Sequence, residues 1–398
     1  MKTRIITFLL LTVFSAGILQ VAEAIPAFAR KYRISCTTCH NPIPRLKAYG
    51  EDFAGDGFRL ADQESPGYYI DTGDDELFLL RQFPLAARLE GHAKFNYSDK
   101  RNSDLATPYL VKLISGGEIS KKFSYYFYFY MDERGEVAGV EDAYIFYNNL
   151  LGSEADVAFG QFAVSDPLFK RELRLTLDDY AIYQIRPGIS NIRLSYDRGI
   201  MLTHGFKTGT DLAFEVVNGN GLADADAAKI FDNDDYKNFA GRISQSFGEV
   251  FRVGGFGYWG KEELGEEGKS FTNEMYYWGA DMTLGVNDKL ELNIQYLFRN
   301  DGKMAASAGD VVLMKDVETQ GGFAELIYTP KGDKSKWYLV ALANWVDSDL
   351  GRHDYKSATF HAGYLARRNI RFTGEITYDF SYENTEYLRG SVGIITVF

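Results

Sequence analysis

The residues best suited to chemistry are Cys36, Cys39 and His40, which form a C-x-x-C-H sequence. This spacing is typical of haem c attachment, because two thiols can form thioethers with one porphyrin while the adjacent imidazole reaches the iron. A structural zinc site usually needs four ligands, and the chain has only these 2 cysteines. A thioredoxin-like dithiol would need a βαβ setting, which does not follow in the sequence. The motif therefore predicts one covalent haem c with His40 as the proximal ligand.

The sixth ligand of the iron is not evident near the motif. No second histidine occurs between Ile25 and Gln82, and no methionine occurs between Met1 and Met131. We therefore expect the rest of the chain to supply the ligand, or the iron to be five-coordinate or weakly ligated. The main candidate is His92, with His361 and Met201 behind it, because the strand pattern places all three on inward faces. The alternative is that His92 is one more polar residue of the inward face.

The chain from Pro84 onward consists of runs in which apolar and polar residues alternate, as in strands with two different faces. Residues 370–380 are the clearest case. Short turns follow every second run, and longer polar loops occupy the other joints. We count 16 runs, which start near residues 84, 108, 122, 140, 155, 199, 211, 237, 250, 274, 289, 319, 337, 356, 370 and 386.

This asymmetry of connections is typical of outer-membrane barrels, whereas a soluble β-sandwich does not need it. The sequence therefore predicts an all-β fold, a porin-like antiparallel transmembrane β-barrel of about 16 strands. We expect the short N-terminal helical or irregular haem c segment to be docked in the lumen. The even strand number predicts that both termini lie on the periplasmic side of the bacterial outer membrane. A soluble all-β protein is the alternative.

Residues 1–24 have the features of an export signal, with basic residues near the start, an apolar stretch and Ala22 and Ala24 before the expected cleavage site. We predict a signal peptide at 1–24, a monohaem cytochrome c segment at 25–82 and an outer-membrane β-barrel at 83–398. The formal net charge of −12 argues against nucleic acid as a partner.

Two further regions have open interpretations. The connection from Ala163 to Arg198 is long and charged, and is either a constriction loop inside the lumen or an ordinary extracellular loop. The acidic loops, including residues 224–235 and Glu262, Glu263, Glu266 and Glu267, could gather cations such as Fe²⁺ or simply remain solvated. The inward-facing Tyr126, Tyr128 and Tyr130 could line the haem site, although packing against a plug is the preferred interpretation.

The residues around the motif resemble the fused cytochrome-porin family of bacterial outer membranes. The similarity is carried by Ile25–Arg30, Cys36–His40, Pro44–Phe53 and Gly57–Phe58, within a stretch of about 35 residues. The resemblance implies a short haem segment in front of a porin-like barrel, and a role in extracellular electron transfer, chiefly oxidation of Fe(II). In the barrel, two short stretches are similar to stretches of anion-selective porins: Gly160-Gln161-Phe162 and Asp197-Arg198-Gly199.

These observations predict an electron conduit in which one haem passes electrons between an extracellular donor, with Fe(II) as a candidate, and a periplasmic c-type cytochrome or other electron carrier. Electron export would use the same parts in reverse, with an extracellular acceptor. A porin for small anions or solutes, with the haem segment as a plug or redox gate, is the competing class. No G-x-S-x-G elbow, phosphate loop or metal-spaced histidine pair supports a conventional hydrolase or transferase.

Overall fold

The protein combines a short N-terminal segment with a closed barrel. The computed structural model describes residues 27–60, 69–74, 76–81, 83–97, 102–232, 234–265, 270–308, 311–381 and 387–398, so the predicted signal peptide at 1–24 lies outside the described residues. The N-terminal segment, residues 27–60, contains α1 (Ala27–Tyr32), α2 (Cys36–Cys39) and α3 (Ala48–Gly55). A small ribbon of β1 (Tyr69–Ile70) and β2 (Leu79–Leu80) follows. Within the described residues, every helix is too short or too polar to cross a bilayer.

The barrel is built from antiparallel strands that pair in sequence order, and the last strand pairs with the first to close it. The predicted 16-stranded all-β fold is confirmed. The barrel strands are β3 (Leu85–Tyr97), β4 (Asn102–Glu118), β5 (Phe123–Glu133), β6 (Gly139–Tyr147), β7 (Ala155–Ala163), β8 (Tyr196–Gly205), β9 (Thr210–Val217), β10 (Asn238–Phe247), β11 (Phe251–Leu264), β12 (Phe271–Val286), β13 (Leu290–Ala308), β14 (Val311–Tyr328), β15 (Trp337–Ser348), β16 (Tyr355–Arg367), β17 (Ile370–Asp379) and β18 (Tyr387–Val397).

The two ends of the barrel differ, as the sequence predicts. We call the end that carries the connections after β4, β6, β8, β10, β12, β14 and β16 the short-turn end, and the opposite end the long-loop end. The C-terminus closes the barrel at the short-turn end, where the N–H of Phe398 donates to the carbonyl oxygen of Ala87 at 2.9 Å. The chain therefore enters and leaves the barrel at the same end.

Two strands begin earlier than the alternating pattern predicts. β4 begins at Asn102 rather than near residue 108, and β14 begins at Val311 rather than near residue 319. Most of the expected polar loop between β13 and β14 is therefore a continuation of their hairpin. Backbone pairing does not require an apolar face, so a hairpin can extend beyond the lipid-facing zone without leaving an alternating signal.

Side chains alternate between the two faces of the barrel wall. On β3, Glu90 and His92 are buried inside, whereas Leu85 and Phe95 are exposed outside. The outer face also carries exposed Trp278 and Trp337 and other large apolar side chains. An apolar outer face of this kind fits a bilayer and would be unfavourable in water, so it speaks against the soluble alternative.

The long connection between β7 and β8 folds into the lumen. We call residues 164–195 the constriction loop. Their buried side chains include Tyr180 and Tyr183, and the Tyr180 ring stacks on Phe323 of β14 with 4.0 Å between ring centroids. The Tyr183 hydroxyl donates to Gln295 of β13 at 3.0 Å. These partners lie across the barrel from β7 and β8, so the lumen-loop interpretation holds and the ordinary surface-loop interpretation does not.

Candidate functional site

Aromatic side chains seat the N-terminal segment in the short-turn end of the barrel. Phe28 and Phe58 stack with their ring centroids 4.8 Å apart, and Phe58 in turn stacks on Tyr126 of β5 at 4.7 Å. Tyr32 donates its hydroxyl proton to the carbonyl oxygen of Phe58. Tyr126 therefore packs against the segment, as the preferred interpretation of the inward-facing tyrosines of β5 predicts.

The close approach of the segment to the wall depends on Gly57. This residue has a φ of 67°, in the left-handed region that favours glycine. A Cβ placed there would lie 2.1 Å from the Ser124 hydroxyl oxygen and 2.6 Å from Asn148 Oδ1. Any larger residue would push the segment away from the strands β5 and β6.

Ion pairs hold the opposite side of the segment. Arg45 donates through Nε to Glu291 of β13 at 2.9 Å, and Arg252 of β11 donates to Glu51 at 2.6 Å. Arg252 and Arg45 lower the pKa of the Glu51 carboxyl, against the effect of burial, which raises it. Lys47 pairs with Asp333 at 3.0 Å. Because these partners lie at or near the short-turn ends of their strands, the segment fills that end of the lumen.

The two cysteines of the motif are the first and last residues of a single helical turn, α2, and His40 follows directly after it. Ser35 caps α2 by accepting a hydrogen bond from the backbone N–H of Thr37 at 3.4 Å. Cys36 is partly buried, Cys39 is buried, and both are free thiols. Burial raises the pKa of both thiols. His40 leaves the helix in an extended conformation directly after Cys39.

The hydrogen bond of the His40 imidazole favours the tautomer that a haem ligand would need. Its Nδ1 lies 2.7 Å from the carbonyl oxygen of Pro44, and a carbonyl can only accept, so Nδ1 carries the proton. Nε2 is then the unprotonated nitrogen, which is the form that ligates a metal. Burial lowers the pKa of the His40 imidazole, which favours the neutral ring. The residues present therefore fit one haem c held by Cys36, Cys39 and His40.

His92 lies in a different compartment, a cavity of about 100 Å³ between the barrel wall and the constriction loop. Its ring nitrogens lie 3.4 Å from Glu90 Oε2 and 3.4 Å from the Ser391 hydroxyl. His361 lines the same cavity, and its Nδ1 lies 2.8 Å from Glu375 Oε2. None of the residues that line this cavity belongs to the N-terminal segment. His92 therefore remains a predicted ligand, with polar partners that suit a structural role equally well.

The other candidates are also on the expected faces. Met201 packs against the buried core of the lumen, whereas Met131 is exposed on the outer face. In the described part of the chain, no group of three or more His, Cys, Asp or Glu residues is arranged to hold a metal ion. The acidic residues Glu266 and Glu267 lie outside the described residues.

Arg371 was not evident from the sequence as a site residue. Its Nη1 donates to the carbonyl oxygen of Ile43 at 2.8 Å, and its side chain also lines the cavity that contains His92 and His361. The only signal in the sequence was its inward position on β17. The hydrogen bond joins residues that are 328 positions apart in the sequence. The alternation of polar and apolar residues along one strand gives no information about such a contact.

Comparison with known proteins identifies the fold. No model of a protein family matches the chain, and no curated protein matches it. Among solved structures, an anion-selective porin from Comamonas acidovorans has a TM-score of 0.53 and 10% identity, covering 80% of this chain and 99% of the porin. The outer-membrane channel DcaP of Acinetobacter baumannii has a TM-score of 0.53 and 14% identity, covering 79% and 96%. OprB of Pseudomonas putida has a TM-score of 0.54 and 11% identity, covering 80% and 94%. The chain thus has the porin-like 16-stranded barrel fold of outer-membrane channels.

Proposed function

We propose that the protein is an outer-membrane electron conduit that carries one haem c on Cys36, Cys39 and His40. The short-turn end faces the periplasm and the long-loop end faces the cell exterior, as in barrels with short periplasmic turns. An extracellular donor, with Fe(II) as the first candidate, supplies electrons that leave to a periplasmic c-type cytochrome or another carrier. The observation that carries the proposal is the C-x-x-C-H turn, with its oriented imidazole, held inside the end of a membrane-type barrel.

The bound haem would supply reversible one-electron oxidation and reduction of its iron. The chain's own residues set the conditions for that chemistry. Cys36 and Cys39 would hold the porphyrin covalently, and the Pro44 carbonyl keeps the His40 ring in one tautomer. Arg45 and Glu51 fix the segment in the barrel, so that the site keeps a constant position relative to both ends.

The acidic loops support a cationic donor on the exterior side. Asp224, Asp226 and Asp235 are exposed at the long-loop end. Their combined negative charge raises the local concentration of cations such as Fe²⁺ without a specific binding site. The effect should weaken as salt screens the charges.

A second candidate function is a channel for small anions or solutes, with the N-terminal segment as a plug or redox gate. The porin-like fold favours this candidate, because the solved structures with the same fold include an anion-selective porin. The position of the segment in the lumen argues against an open pore, because α1 and α3 occupy the short-turn end. Electron export would use the same arrangement as the conduit with the current reversed.

The proposal is tested with haem-loaded protein in sealed liposomes, oriented with the short-turn end inward as checked by protease. A membrane-impermeant Fe(II) complex is added outside, and the absorbance of reduced haem is followed at near-neutral pH. Rapid reduction that is lost in Cys36→Ala supports the conduit. Haem that stays oxidised until dithionite is added to opened vesicles contradicts Fe(II) oxidation and favours export or a gated channel.

Planar-bilayer conductance separates the two functions. A plugged conduit should conduct ions poorly, and a variant that lacks residues 27–60 should conduct better. If the intact protein already conducts like the truncated one, the plug does not close the pore and the channel function is preferred. The absence of covalent haem, measured as a pyridine haemochrome, would contradict the conduit directly.

A further inference from the structure

Exposed basic side chains cluster at the short-turn end, beside the N-terminal segment. They lie at the neighbouring connections β12–β13, β14–β15 and β16–β17. We call this set the basic rim: Lys289, Lys331, Lys334, Lys336, Arg367 and Arg368, all exposed. The acidic residues of the same turns are Asp288 and Asp333, and Asp333 is already paired with Lys47 at 3.0 Å. The rim is therefore locally positive on a chain whose formal net charge is −12.

The basic rim is continuous with the C-x-x-C-H turn. Arg368 donates through Nη2 to the carbonyl oxygen of Asp333 at 3.1 Å, which joins two of the turns. Asn41, next to His40, donates through Nδ2 to the carbonyl oxygen of Asp288 at 3.3 Å. The charge of Arg368 also acts on the thiol of Cys36, where it lowers the pKa against the larger, opposite effect of burial. A protein bound to the rim would lie directly over the motif.

The two ends of the barrel carry opposite charge, and this difference indicates the sign of the charge on a partner protein. The long-loop end carries exposed acidic residues such as Asp224, Asp226 and Asp235, and the rim lies at the other end. An acidic protein is therefore repelled by one end and attracted to the other. Complementary charges of this kind mainly increase the association rate and set the orientation of encounter.

We infer that the basic rim is the docking surface for an acidic, soluble electron-carrier protein. The inference rests on the proposed conduit function, which requires a carrier at the short-turn end. Anionic lipid headgroups are the other possible source of negative charge. A protein is favoured because the turns of the rim contact the N-terminal segment over the lumen, where the bilayer does not extend. Asn41 donates to the carbonyl oxygen of Asp288, and Lys47 pairs with Asp333.

The test uses the holoprotein in nanodiscs of zwitterionic phosphatidylcholine, which leave both ends accessible. The probe is the acidic soluble domain of cytochrome b5, and the basic mitochondrial cytochrome c is the control of opposite charge. Affinity is measured by biolayer interferometry at low and high salt. The test variant is Lys334→Glu with Lys336→Glu. The matched control is Lys121→Glu with Lys207→Glu, which reverses two exposed lysines in the short turns after β4 and β8.

The double variant should weaken binding of the acidic probe about 10-fold or more at low salt and reduce the salt dependence. The control variant, Lys121→Glu with Lys207→Glu, should change the affinity less than about 2-fold, because both residues lie outside the rim. Equal losses in both variants, or no loss in the double variant, would overturn the inference. An acidic probe that fails to bind the parent protein would also overturn it, and rim-dependent binding of added anionic lipid, seen by native mass spectrometry, would then assign the rim to lipid headgroups.

Two measurements keep the failure of docking apart from failure of the function. The heat-modifiable gel mobility of each variant reports whether the barrel is folded. The pyridine haemochrome reports haem, and the binding assay is repeated on protein without haem. Missing haem contradicts the conduit whatever the rim binds, whereas normal haem with rim-independent binding contradicts only the docking surface.

Discussion

Arg371 Nη1 lies 2.8 Å from the carbonyl oxygen of Ile43, so β17 is tied directly to the loop that follows the C-x-x-C-H turn. The same guanidinium lines the cavity that holds His92 and His361. Arg371 is thus the contact between the two places where the sequence predicts haem ligands. A substitution of Arg371 therefore tests how firmly the segment that contains His40 is attached to the barrel wall.

Arg371→Met should loosen the N-terminal segment while the barrel stays closed. A hydrogen bond to a charged donor contributes about 1.5–3 kcal/mol, which corresponds to roughly a 10- to 100-fold faster release. The measurement is the rate of proteolysis within residues 27–60, with heat-modifiable mobility as the check on the barrel. Arg367→Met, which removes an exposed arginine at the end of β16, should leave the rate near that of the parent.

His92→Ala tests the sixth ligand. If His92 ligates the iron, the variant should shift the haem from low-spin to high-spin absorbance, and added imidazole should reverse the shift. His361→Ala is the matched control in the same cavity and should leave the spectrum unchanged. An unchanged spectrum for His92→Ala would contradict the prediction and leave His92 as a polar partner of Glu90.

Arg299 should hold the constriction loop in the lumen. Its guanidinium is fully buried, and it donates to the Ser190 hydroxyl at 2.8 Å and to the Ile192 carbonyl at 2.7 Å while it pairs with Asp301. Breaking such a buried pair from one side costs about 3–5 kcal/mol. Arg299→Met should therefore expose the loop to trypsin, which can cut after Arg193.

The partner variant separates loss of the loop contacts from the cost of an unpaired carboxylate. Arg299→Met combined with Asp301→Asn removes the unpaired charge of Asp301 but does not restore the contacts with the loop. We expect tryptic cleavage in the double variant to remain faster than in the parent. If the double variant is as resistant as the parent, Arg299 acts only on Asp301 and not on the loop.

The docking of the N-terminal segment should strengthen as the pH rises above 8. Burial of Lys31 lowers the pKa of its ammonium from 10.5 to about 8. Between these two values the released segment binds more protons than the docked one, so the docked state gains stability with increasing pH. Below pH 8 the full penalty of the buried charge is present, and above 10.5 it is absent.

A urea titration at several pH values, followed by limited proteolysis within residues 27–60, measures this dependence. The free energy of release should rise from pH 8 to 10.5 in the parent protein and stay flatter in Lys31→Met. Lys121→Met, an exposed lysine in the turn after β4, is the control and should behave like the parent. A parallel rise in Lys31→Met would assign the effect to other groups.

The sequence by itself determined the strand count, the two faces of each strand and the motif. These are local properties, since period-2 alternation and the C-x-x-C-H spacing depend on neighbours along the chain. The inward positions of Glu90 and His92 followed from alternation alone. The early starts of β4 and β14 did not, because pairing that continues outside the apolar zone leaves no alternating signal.

Only the tertiary structure decided where the segment and the constriction loop lie. The sequence left open whether residues 163–198 enter the lumen, and the contacts of Tyr180 with Phe323 and of Tyr183 with Gln295 placed the loop there. The hydrogen bonds of Arg45 with Glu291 and of Arg371 with Ile43 likewise join residues that are hundreds of positions apart. Closure of the barrel brings such residues together, and no short-range pattern in the chain specifies which of them meet.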